Sequence, residues 1–96
     1  MKAYLVAHIE VQDPEGFEAY REKVPAVIAQ YGGRYLVRGG TAHPLEGDWR
    51  VPRLVIIEFD SLEAARAFYD SPEYQEILPL RLRASRGDAA FVEGVA

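Results

Sequence analysis

The opening run constrains the fold most: Ala3, Leu5, Ala7, Ile9 and Val11 alternate with Tyr4, Val6, His8 and Glu10. A period of two is the signature of a β-strand, so strand one spans residues 2–11. Asp13-Pro14-Glu15 then reads as a helix start. Aspartate accepts from free backbone donors, proline is pre-set for the first helical position, and glutamate suits the positive pole of the helix dipole. Phe17, Tyr20, Val24, Val27, Ile28 and Tyr31 follow at helical spacing and form one buried stripe. Pro25 interrupts that stripe and predicts a kink near Arg21, and Gly32 supplies the stop.

Strands two and three are expected over residues 33–38 and 53–59. Between them lies a glycine- and proline-rich connection from Gly39 to Pro52, long enough that it should carry an extra strand, a partner contact or a lid. Ser61 caps a second helix with Leu62, Ala65, Phe68 and Tyr69 on its inner face. Ser71-Pro72-Glu73 starts it afresh, and Tyr74, Ile77 and Leu78 continue the apolar face. Strand four spans residues 88–93.

The resulting β-α-β-β-α-β order, with right-handed crossovers, predicts an α+β ferredoxin-like sandwich: an antiparallel sheet ordered 4-1-3-2 with both helices on one face. The sheet's other face then presents Tyr4, Val6, Leu36, Leu54, Ile56 and Phe91, which is too much apolar surface to leave in water. A second copy packed back to back would cover it, so a homodimer is expected.

Other classes are disfavoured by composition. Ninety-six residues suffice for one domain, taken as 1–96. A net charge of -4 opposes unspecific binding to nucleic acid or anionic membrane, and no apolar run is long enough to span a bilayer. The chain has no cysteine, and its N-terminal run is too short and polar for a signal peptide, so it is expected in the cytoplasm. Its two histidines lack metal-ligand spacing, and its glycines follow no dinucleotide or P-loop spacing, so neither a metal nor a cofactor is expected.

Site candidates come from the helix-free parity, which also carries His8, Glu10, Arg34, Arg38, Glu58 and Glu93. Arg38 lies two strands from His8, roughly 9–10 Å by strand spacing, a gap that a small anionic or carbonyl ligand would bridge. His8 would be the general base there; the plainer reading is a polar dimer interface with Glu10 pairing Arg38. Glu58 and Arg34 suggest an acid and a clamp, or more simply a cross-strand ion pair. Trp49 and His43 are lid residues, or Trp49 is an anchor on the partner subunit. Tyr20, Tyr31, Tyr69 and Tyr74 face the sheet, and of these Tyr74 is kept as a ligand candidate at a pocket rim. Arg81, Arg83 and Arg86 suit the C-terminal pole of the last helix.

Asp13-Pro14-Glu15, Gly33-Arg34-Tyr35-Leu36-Val37-Arg38-Gly39-Gly40, Leu45-Glu46-Gly47, Arg53 through Glu58-Phe59, and Ser71-Pro72-Glu73-Tyr74 together resemble the family of domain of unknown function 1330. The resemblance implies a ferredoxin-like protomer of the dimeric α/β-barrel superfamily. That superfamily includes cofactor-free oxygenases, haem-degrading enzymes and decarboxylase-like or isomerase-like proteins. It implies no catalytic residue at any position of this chain. Two functions stand against each other: a homodimer that binds a small aromatic or carboxylate metabolite beside the sheet, acting as a cofactor-independent enzyme, and a non-catalytic dimerisation or interaction module.

Overall fold

A computed structural model describes residues 1–96. The elements are β1 (Ala3–Val11), α1 (Pro14–Gln30), β2 (Arg34–Gly40), β3 (Leu54–Phe59), α2 (Leu62–Asp70), α3 (Pro72–Ala84) and β4 (Ser85–Glu93). The sheet is antiparallel throughout, with order β2-β3-β1-β4, the arrangement expected from the sequence.

Alternation along β1 and β3 builds the core. Ala3, Leu5, Ala7, Ile9, Val55, Ile57 and Phe59 point to the helices, where Phe17, Tyr20, Val24 and Ile28 of α1 meet them beside Phe68, Tyr74, Ile77 and Leu78 of α2 and α3. No helix is long and apolar enough to cross a membrane.

The helix boundaries follow local chemistry, with one departure. Asp13 occupies the N-cap of α1, yet its side chain makes no capping hydrogen bond. Ser61 Oγ accepts from the Ala64 N–H and so caps α2. Ser71 closes one helix and opens the next: its hydroxyl donates to the Phe68 carbonyl at 2.7 Å and accepts from the Tyr74 N–H at 3.1 Å. A single buried hydroxyl thus satisfies an acceptor and a donor at the break between α2 and α3. Helix α1 runs unbroken through Pro25 to Gln30, and two residues on, Gly32 turns the chain away with a φ of 77°, which suits glycine without strain.

Three expectations need correction. The connection between β2 and β3 forms turns and bends but no extra strand, and it leaves Leu45 and Trp49 exposed. Strand β4 begins at Ser85, directly after α3, and its pairing sets Phe91 opposite Leu5 and Glu93 opposite Ala3. Phe91 therefore lies on the helix side, against Tyr69 at 6.1 Å between ring centroids, and Val92 takes its place on the open face. Strand β2 is irregular as well, with register shifts between Tyr35 and Val37 and between Arg38 and Gly40. Each β-bulge inserts an unpaired residue and so reverses the side-chain parity beyond it. Arg34 and Tyr35 follow the expected alternation, but Val37 pairs with Ile56 on the open face and Arg38 pairs with Val55 on the helix face. Arg38 is thus on the opposite side of the sheet from His8.

Candidate functional site

The bulge in β2 brings Arg38 to the mouth of a cavity between the sheet and the helices. Leu5, Ala7, Ile9, Val55 and Ile57 form the floor, Phe17, Tyr20 and Val24 one wall, and Tyr35, Tyr69 and Tyr74 much of the remainder. Its polar lining is Arg21, Arg38, Arg53, Arg81 and the tyrosine hydroxyls, with no carboxylate among them. The enclosed space is about 40 Å³, room for a few waters. Arg21 and Arg38, both exposed, border this space.

Two backbone irregularities position the arginines. Pro25 has no N–H, so the Arg21 carbonyl loses its helical donor. Arg38 Nη2 approaches that carbonyl at 3.4 Å. In β2, Gly39 takes a φ of 73°, and a methyl group there would lie 2.5 Å from Arg53 Nη1. Glycine thus permits both the bulge and the close seat of Arg53. The Arg38 guanidinium lies over the Tyr35 ring at 4.7 Å, and that of Arg53 lies 5.5 Å from the centroid of Phe17. Arg53 Nε is shut off from solvent and has no hydrogen-bond partner. Burial, then the charges of Arg21 and Arg38, pull the Arg53 guanidinium below its ordinary pKa.

Deeper in, the Tyr20 and Tyr74 hydroxyls meet at 2.9 Å, with their rings edge to face. Burial, reinforced by Tyr74, pushes the Tyr20 phenol far above its ordinary pKa of 10. It therefore stays protonated and does not act as a base, and either hydroxyl of the pair can be the donor. Stability follows from the same shift. Above pH 10 the unfolded chain releases a proton that the folded chain retains, so this contribution is complete below pH 10 and falls as pH rises beyond it. Urea midpoints measured from pH 8 to 11.5 should decline on the alkaline side, and Tyr20→Phe should flatten the decline. An unchanged slope in that variant would assign the alkaline loss to other groups.

The sequence candidates fall in three places. Arg38 and Tyr74 line the cavity. On the open face, His8 pairs with Asp88 at 2.8 Å, and Glu58 pairs with Arg34 as a cross-strand ion pair. His8, Glu10, Arg50, Arg86 and Asp88 share a shallow depression there with Pro52 and Gly87. Trp49 lies apart, in the exposed connection beside His43 and Leu45. His8 and Arg38 are thus not brought together, and Glu10 sits opposite Arg86. Sequence reasoning passed over Arg21 and Arg53 and treated Tyr20 as core and Arg81 as a helix end. The available signal was Gly39-Gly40 inside a strand pattern, which marks a bulge as well as a turn.

Comparison with solved structures returns the same fold at low identity. A protein of unknown function from Rhodopseudomonas palustris is similar with a TM-score of 0.78 and 17% identity, over 99% of this chain and 83% of that one. SnoaB, a cofactor-independent oxygenase from Streptomyces nogalater, is similar with a TM-score of 0.69 and 16% identity, over 99% of this chain and 94% of that one. A dimeric ferredoxin-like protein of unknown function from Jannaschia is similar with a TM-score of 0.66 and 13% identity, over 98% and 100% of the two chains. None of the curated proteins matches the sequence. Together with the strand order, these likenesses give a ferredoxin-like fold, and the match of residues 2–95 to the family profile shows that the chain belongs to the family described as domain of unknown function 1330 (DUF1330).

Proposed function

We propose that this protein is a homodimer that binds a small aromatic or carboxylate-bearing molecule between sheet and helices, and acts on it as a cofactor-independent enzyme. The observation that carries the reading is the cavity's lining: apolar and aromatic walls, a phenol pair at depth and arginines at the mouth. A few convergent polar groups in an apolar enclosure are the usual make-up of a small-molecule site. The Tyr20 hydroxyl, kept protonated, and the charged Arg81 would stabilise negative charge developing on a ligand oxygen. The cofactor-independent oxygenase activity of SnoaB, on a similar fold, supports the reaction class by analogy. His8, Glu58 and Trp49 belong in this reading to the dimer contact and not to the ligand.

The dimer reading is supported by the open face, where Tyr4, Val6, Val37, Leu54, Ile56 and Val92 lie side by side, and by the dimeric relative of the same fold. A thermal-shift screen of aromatic acids and related metabolites tests the ligand reading. Stabilisation should grow with ligand concentration as linkage requires. It should disappear in Ala89→Phe, which fills the cavity from an exposed position on β4. A hit unaffected by that substitution would place binding elsewhere. If no compound stabilises the wild type, the non-catalytic dimerisation module stands in its place.

A further inference from the structure

Three arginines from three separate elements converge at the cavity mouth: Arg21 of α1, Arg38 of β2 and Arg53 just before β3. Such a cluster of like charges is unfavourable by itself, and burial together with the charges of Arg21 and Arg38 lowers the proton affinity of Arg53. Little in the protein offsets it. Arg21 pairs with Glu18 through a loose 3.8 Å contact one turn back on an exposed helix face. Arg38 spends its hydrogen bond on a backbone carbonyl. The buried Nε–H of Arg53 has no acceptor, and an unmet charged donor away from water is costly. The backbone nonetheless maintains the arrangement at two places, through the bulge at Gly39 and the carbonyl released by Pro25.

Resting on the cavity reading above, we infer that Arg21, Arg38 and Arg53 form the anchor for an ionised acid group of the ligand, whose ring enters among Phe17, Tyr20, Tyr35 and Tyr74. Guanidinium forks match a carboxylate or phosphate through paired hydrogen bonds, and such an anion would neutralise the cluster. The guanidinium carbons of Arg38 and Arg53 lie 4.7 Å and 5.5 Å from the Tyr35 and Phe17 ring centroids, which keeps both charges beside the aromatic wall where the ligand ring would enter. The ligand class is thus an aryl acid oriented acid-outward, with its far end toward the Tyr20–Tyr74 pair.

The test uses ¹⁵N-labelled full-length protein titrated with benzoate, phenyl phosphate and the uncharged benzamide, with both the Arg53 Nε–H and the cavity aromatic signals followed by NMR. At least one acid should bind about 10- to 100-fold more tightly than benzamide, the range of a charge-assisted hydrogen bond, and should move the Arg53 signal. Whichever acid binds more tightly identifies the head group as carboxylate or phosphate. In Arg53→Gln and in Arg38→Gln, the latter on an exposed side chain, the preference should shrink toward parity. If acid and amide bind alike and shift the aromatic signals but leave Arg53 unmoved, the anchor is refuted and the apolar cavity reading survives. If none of the three shifts either set of signals, both are refuted.

Discussion

Replacing Ile56 by aspartate is expected to hold the protein as a 10.8 kDa monomer in sedimentation, while the wild type, as the proposed dimer, is expected to sediment at twice that mass. Ile56 sits on an interior strand, opposite Val6 of β1 and Val37 of β2, at the middle of the helix-free face. In a free protomer an aspartate there reaches water, and the core residues Val55 and Ile57 still point the other way. In a back-to-back pair the same carboxylate is buried twice without a partner. An unpaired charge in such an interface costs at least ~3 kcal/mol. The dissociation constant should therefore rise more than a hundredfold. Circular dichroism should show the fold intact. A wild type that sediments as a monomer, or a folded variant that remains a dimer, would remove the second copy from the proposed function.

The contrast between the two sheet faces explains what the sequence discloses and what it hides. Element order and strand order follow from patterns that repeat: the alternation in β1 and β3, the stripe Phe17–Tyr20–Val24–Ile28, and the caps at Ser61 and Ser71. Each such signal is averaged over several residues, so a single irregularity does not erase it. The site rests on the irregularities. One inserted residue near Leu36 is enough to carry Arg38 from the open face to the helix face, because parity along a strand has no memory beyond a bulge. Uninterrupted counting sets His8 and Arg38 on one face, and the bulge separates them. Strand β4 hides its facing for another reason. Ala89, Ala90, Phe91 and Val92 are apolar on both parities, so only the pairing of Phe91 with Leu5 settles which side it takes. Arg53 gave no warning, since a lone arginine at a strand entry looks like any solvated charge. Its importance comes from Gly39, on a different strand, making room for it.

Phe68→Ala should be the most damaging single truncation in the core, lowering the unfolding free energy by about 3–5 kcal/mol. The side chain is fully buried and stands at the centre of an aromatic chain, with ring centroids 4.5 Å from Tyr74, 5.3 Å from Phe59 and 6.5 Å from Tyr31. Its carbonyl also receives the Ser71 hydroxyl, so the backbone at this point is tied to the α2–α3 break and cannot easily close over a void. Against a typical total of about 5–15 kcal/mol for a domain, that loss takes a large share. Urea unfolding at fixed protein concentration measures it, the concentration being held because the proposed dimer would add to apparent stability. Phe68→Leu, which keeps most of the volume, should lose much less. The effect should extend to the site as well. Tyr74 rests on Phe68 and carries the hydroxyl that meets Tyr20, so Phe68→Ala should loosen that pair and weaken binding in the cavity even where the protein remains folded. A loss below about 1 kcal/mol would mean that the neighbouring rings collapse into the space. Unchanged binding alongside a large loss would separate the phenol pair from the aromatic chain that supports it.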